Sequence, residues 1–222
     1  MLAVYENVFP FLLQGLWQTF LVSLLAIVFG SIVGFGVGLG RARGGRCMVK
    51  GLGLYVHMLR GTPFLVQIYV VYYVLPTTGL AVFQLTSFQA AVIALSLYTS
   101  TYVAEIVAAA IDAVPRGQTE AARACGFTGF QALRYVVLPQ AFKMMMPPMG
   151  GVYVLVIKNT SVLSVIGLTE LVREANVSIQ RFPAFILPVF LLVAVMYFCY
   201  CYPVLRLTRW AEKKWGGVQL NV

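Results

Sequence analysis

The sequence is short of charge, and of acid above all. Only 10% of its 222 residues are charged, with seven Asp and Glu against sixteen Lys and Arg, for a formal net charge of +9. Soluble domains carry about 25% charged residues. Together with 60% hydrophobic residues and a mean hydropathy of +0.86, this shortage excludes an ordinary soluble domain and points to several membrane spans. Histidine is nearly missing too. The single His57 stands near the start of an apolar segment and reads as an interfacial or packing residue, so no metal site is expected. The four cysteines, Cys47, Cys125, Cys199 and Cys201, form no C-x-x-C pair and no zinc spacing. No G-x-x-x-x-G-K-[ST] occurs, so the chain is not expected to hydrolyse nucleotide itself. No Lys or Arg precedes the first apolar run, as a secretory signal would require, and the first span is expected to be retained.

What is there is a series of apolar segments with basic residues between them. Five spans are predicted, at about 13–39, 53–75, 88–114, 144–168 and 185–205, in a single all-α membrane domain covering 1–222. Residues 1–12 are mixed and are expected at the membrane surface. The first span carries Gly30, Gly34 and Gly38, a doubled G-x-x-x-G that lets helices approach closely in lipid. Pro188 and Pro203 are expected to bend the ends of the last span. With the N-terminus outside, the inner segments hold Arg41, Arg43, Arg46, Lys50, Arg116, Arg123, Arg134, Lys143, Arg206, Arg209, Lys213 and Lys214. The outer loops hold only Arg173 and Arg181. The positive-inside rule therefore predicts N-out, C-in. Basic residues placed this way orient spans, and no nucleic-acid partner is expected.

Two charges fall near the middle of predicted spans, Glu105 and Lys158. Either would be costly against lipid, so both should face protein or a water-filled path. Tyr98, Thr101, Tyr102 and Glu105 follow i, i+3, i+4, i+7 spacing and make one polar stripe on an apolar helix. Lys158 heads the run Lys158-Asn159-Thr160-Ser161. Two readings stay open. Glu105 and Lys158 could form a structural ion pair between two helices, or a zwitterionic ligand could lie between them, its ammonium on Glu105 and its carboxylate on Lys158 or backbone amides.

The most polar stretch is 115–140, between the third and fourth spans. Pro115 should end the third span, because it keeps Val114 out of the helical region. Thr119 is placed to cap a short new helix, with Glu120 at its positive end. Ala121, Ala124 and Cys125 share one face of small side chains. Gly126 suits the left-handed residue that closes the helix, and Thr128 and Gln131 have capping-box spacing. Pro139 is expected to break or kink the helix that follows. So short a helix needs a surface to pack on, either its own protein or a partner.

The residues Glu120-Ala121-Ala122, then Gly126, then Leu138-Pro139 resemble the EAA loop of the permease subunits of ABC importers. The longer string GQTEAARACGF…LPQAF resembles the polar amino-acid branch. So do Arg60-Gly61-Thr62-Pro63-Phe64-Leu65-Val66-Gln67, Tyr102-Val103-Ala104-Glu105-Ile106 and Lys158-Asn159-Thr160-Ser161, where Asn159 replaces the common Asp. The resemblance implies a type I importer permease fold in the bacterial cytoplasmic membrane. It implies a transport subunit, not an enzyme, that moves polar amino acids. The implied partners are a second permease subunit, identical or homologous, two ATP-binding subunits that hold ATP and Mg, and an extracytoplasmic solute-binding protein. Thr119, Glu120, Ala121, Ala122, Arg123 and Gly126 would then couple to the ATPase. Tyr98, Thr101, Tyr102, Glu105, Lys158, Asn159, Thr160 and Ser161 would line the path. Arg60 is expected to snorkel or to tie the second span to the inner loops. Another small solute, an intramembrane enzyme and a channel are the alternatives.

Overall fold

The structure, a computed structural model, describes residues 2–215, and among these the chain is helical with no strand. Among the described residues four helices are long and apolar enough to cross a membrane, or five if one bent pair counts as a single span. The first, α1 (Leu2–Arg43), runs beyond the predicted 13–39. Residues 2–12 continue the helix instead of lying apart from it, because Val8 and Leu12 are buried in a cluster with Leu171, Val189 and Val193. α4 (Ser87–Asp112) opens on a complete capping box of Thr86 and Gln89.

The α1–α4 contact is the spine of the bundle, and the glycine face makes it. A Cβ on Gly30 would come within 2.6 Å of Thr99 Cβ, one on Gly34 within 2.6 Å of the Ser100 carbonyl, and one on Gly38 within 2.6 Å of Val107 Cβ. Those three turns admit only glycine, whereas Gly36, on another face, has nothing within 4 Å. With no hydrophobic drive between helices in lipid, such close backbone approach supplies the packing. Ala90, Ala91, Ala94 and Leu95 of α4 fill the core beside Val22 and Ala26 of α1.

The second span is not the straight helix predicted over 53–75. α2 (Arg46–Arg60) stops at Gly61-Thr62-Pro63, and the following stretch, α3 (Phe64–Tyr69) continued by turns to Thr78, leaves at 100°. Pro63 lacks an N–H and forces the break. The buried Gln67 amide closes it, donating to the Leu59 carbonyl at 2.5 Å and the Thr62 carbonyl at 3.1 Å.

The fourth span also starts earlier than 144. From α6 (Gly129–Ala132) the chain passes through a π turn (Leu133–Val137) into α7 (Leu138–Asn159) and a 3-10 stretch to Ile166, continuous enough to cross as one unit. Pro139 neither ends nor sharply breaks this helix. Without an N–H it leaves one carbonyl of the preceding turn free, and Leu138 N–H bonds back to Leu133 O, five residues away. Pro147 and Pro148 sit inside α7. α8 (Leu171–Arg181) then lies across the end of the bundle against α1, and α9 (Ile186–Trp215) returns along α7, with Pro203 inside it. The bundle thus has an α8 end and a loop end, the latter carrying α5 (Arg116–Ala124).

Candidate functional site

The polar stripe of α4 does come together, with partners from three other elements. Arg41, near the end of α1, donates to Glu105 Oε1 at 2.5 Å, and Arg60, the last residue of α2, lies 3.6 Å from Glu105 Oε2. The Arg60 guanidinium also sits 4.8 Å from the centroid of the Tyr102 ring. Tyr102 and Tyr98 hydroxyls are 2.9 Å apart, and Asn159 is a neighbour of Tyr98. Arg60 therefore ties α2 to α4, not to the inner loops.

Glu105 is not paired with Lys158. Tyr98, the neighbour of Asn159, stands seven residues from Glu105 along α4, which at helical rise is about 10 Å. The Lys158 side chain turns to a different face of α7 and lines a cleft with Tyr197, Phe198, Cys201 and Tyr202 of α9. Among the described residues no carboxylate pairs with it. Two hydroxyls of the predicted set are also turned away. Thr101 is fully buried and donates to the Tyr98 carbonyl at 2.7 Å. Thr160 is fully buried, donates to the Ile157 carbonyl at 2.7 Å and lies 3.4 Å from the Tyr197 hydroxyl. Ser161 donates to the Lys158 carbonyl at 2.8 Å. What remains open is a half-exposed carboxylate between two guanidiniums, one of which, Arg60, lies against the Tyr102 ring, whose hydroxyl meets that of Tyr98. Guanidinium can bind a carboxylate in two-point fashion and Glu105 can hold an ammonium.

Sequence reasoning missed Arg41, whose position at the end of a span suggested only an orientation signal. It also missed the role of Glu170. That side chain is fully buried and caps α8, accepting from Val172 N–H at 2.9 Å and Arg173 N–H at 2.7 Å, with the Tyr197 hydroxyl at 3.5 Å. Burial pushes its carboxyl up to about 7 against the pull of those amides. Leu171 N–H donates to Thr19 on α1 at 3.2 Å, so the start of α8 is stitched to two spans.

In the loop, α5 starts at Arg116 with Pro115 at its N-cap, φ −55° and ψ 134°. Thr119 is not the cap. Pro115 already holds the extended conformation a cap needs, and nothing in Arg116-Gly117-Gln118 delays the helix by a further turn. Its end is as predicted: Gly126 has φ +87°, Phe127 N–H bonds to Ala122 O at 3.1 Å and Gly126 N–H to Arg123 O at 3.0 Å, a Schellman closure. Thr128 and Gln131 form the expected capping box. α5 packs on the π turn, and Ala122 is its one buried residue, while Glu120, Ala121, Arg123 and Gly126 are exposed and Thr119 is half-buried. Beside it a cleft of about 650 Å³ is lined by Arg43, Asp112, Arg116, Thr119 and Glu120.

The family model described as "Binding-protein-dependent transport system inner membrane component" matches residues 26–217. The chain belongs to this family. As an inner membrane component it is a multi-pass protein of the cytoplasmic membrane and a transport subunit, not an enzyme. It is 33% identical to the probable glutamine ABC transporter permease protein GlnM of Bacillus subtilis (strain 168), over 95% of both chains. It is 35% identical to the L-cystine transport system permease protein TcyB of the same organism, over 90% of this chain and 84% of that one. Among solved structures, a crystal structure of an amino acid ABC transporter with histidines superposes with a TM-score of 0.85 at 32% identity, covering 94% of this chain and 96% of that one. An inner membrane component of this kind works with a partner ATPase that handles ATP and with a solute-binding protein.

Proposed function

We propose that this chain is the transmembrane subunit of an ATP-driven, binding-protein-dependent importer of polar amino acids. The observation that carries the substrate class is the cluster of Glu105, Arg41, Arg60, Tyr98, Tyr102 and Asn159, which offers both an anion and cations to a zwitterion. The names of the relatives, for glutamine and L-cystine, support the same class. In this reading 1–222 is one permease domain, paired with an identical or homologous second permease, and two ATPase subunits, holding ATP and Mg, seat on the exposed face of α5. The loop end lies in the cytoplasm, which agrees with its basic residues. Closure of the ATPases moves α5, and the movement reaches the path through the short connection from α5 to α4. Arg60 is the mobile partner: its hold on Glu105 is the longer of the two, and it ends α2 at a break. Exchange of Arg60 between Glu105 and the substrate carboxylate would open and close the inner part of the path.

The test is ATP-driven uptake in proteoliposomes holding this chain, its ATPase and its binding protein, with a panel of labelled amino acids competing. Saturable uptake of a subset, lost in Glu105→Gln while the complex still assembles, is the expected outcome. Coupled ATP hydrolysis without uptake of any amino acid would move the chain to another solute, and loss of assembly in Glu105→Gln would make the cluster structural only.

A further inference from the structure

Between α1 and the start of α7, at the loop end, lies a cleft of about 520 Å³ unrelated to the polar cluster. Phe35 and Leu39 of α1, Phe130 of α6, and Leu138 and Phe142 of α7 form apolar walls. Its one charged lining residue is Arg134, on the π turn. Among the described residues Arg134 makes no ion pair with a carboxylate; its guanidinium lies 5.8 Å from the centroid of the Tyr135 ring. No acidic side chain lines the cleft, while Arg123 Nη1 lies near Gly129, next to Phe130, and Lys143 follows Phe142.

The π turn makes the cleft. The i→i+5 bond to Leu133 O widens the helix where α6 meets α7, and Arg134 and Tyr135 are left exposed while Val137 is buried. The cleft also has depth. Phe35 lies eight residues in from Arg43, which is about 12 Å along α1, and Phe142 lies one turn beyond Leu138. A groove that begins at an unpaired cation by the membrane surface and continues as an apolar wall toward the hydrocarbon has the profile of a phospholipid. A segment of soluble protein could not follow it inward without leaving its backbone polar groups unpaired.

We propose that this cleft is a binding site for one anionic phospholipid of the leaflet at the loop end, with its phosphate on Arg134 and an acyl chain along Leu39, Phe35 and Phe142. Basic residues next to a groove between spans are the chemistry that holds such headgroups. The π turn is also where α5 packs, so an occupied site would steady the seat of α5. The proposal does not depend on the transported solute.

The test is retention of phosphatidylglycerol by the permease–ATPase complex in mild detergent, read by native mass spectrometry against phosphatidylcholine. One phosphatidylglycerol per permease chain is expected, with retention falling about tenfold in Arg134→Gln, the loss of one charge-assisted hydrogen bond. Leu39→Trp, which fills the groove, should lower it comparably, and Lys143→Gln, outside the lining, should not. Arg134 is exposed, so its variant tests the site without threatening the fold. Equal retention in wild type and Arg134→Gln, equal loss in Lys143→Gln, or displacement by inorganic phosphate would overturn the site, the last in favour of a free-anion site. A second copy of the chain cross-linking across Phe142 in place of lipid would overturn it as well.

Discussion

The two ends of the bundle enclose their carboxylates in opposite ways. At the α8 end, Glu170 is fully buried and held by backbone amides two and three residues away, with Gly15 of α1 pressed so close that a Cβ there would meet Leu171 Cα at 2.9 Å. Near the loop end, Glu105 is half exposed and held by side chains from α1 and α2, one of them at the edge of a 100° break. Local backbone bonds in a dry setting have no alternative partners, so the α8 end is fixed. Long side chains in a wetter setting can exchange partners at little cost. A transport subunit needs both, a frame that does not yield and a set of contacts that can.

The comparison predicts its own largest effect. Glu170→Ala strips two helix N–H groups of their acceptor and empties a fully buried site, and should cost about 4 kcal/mol, whereas Glu105→Ala should cost about 1 kcal/mol. Thermal unfolding of the complex in detergent measures both, and equal costs would dissolve the distinction between the ends. Next comes pH. The Glu170 carboxyl rises from 4.5 to about 7 on folding, so the folded state holds the proton more tightly. The stability this contributes is complete below 4.5 and is lost as pH rises through 7, up to about 3 kcal/mol in all. Unfolding temperature should therefore fall between pH 5 and pH 8, and Glu170→Gln, which cannot titrate, should flatten that slope. A smaller effect belongs to the other end. Arg60→Gln removes the 3.6 Å ion pair and the contact with Tyr102; uptake should drop about tenfold, equivalent to about 1.4 kcal/mol, with the unfolding temperature nearly unchanged. A matched fall in both would make Arg60 a strut.

The frame was more legible in the sequence than the exchangeable contacts were. Gly30, Gly34 and Gly38 announce a close helix contact because their spacing alone defines a face, and Thr128-x-x-Gln131 and Gly126 announce their caps because capping is local. Glu105 could be recognised as a charge needing company, but not whose. Arg41 and Arg60 are 64 and 45 residues away in sequence, and they reach it only through the packing of α1 and α2 on α4. A fourth span that begins near 144 puts Lys158 at its centre and makes it the natural partner of Glu105. The helix starts earlier, which sets Lys158 further toward the α8 end and out of Glu105's reach. Thr119 misled for a related reason, since a good capping residue is not a cap where a proline upstream has already supplied one.

The finest test lies on the loop, outside the bundle. Gly126 adopts φ +87°, where a side chain is strained, yet a Cβ there would meet no atom within 4 Å. Gly126→Ala therefore carries only the backbone cost, about 1 kcal/mol, and it falls on the closure of α5. The bundle rests on contacts elsewhere, so its unfolding temperature should stay within about a degree of wild type, because α5 unravels locally before the spans part. ATPase stimulation by the permease should drop severalfold, because one turn of α5 is no longer held in its docking shape. Unchanged stimulation would mean that α5 is seated by its packing on the π turn and not by its own cap, and the loop would then share the fixed character of the α8 end.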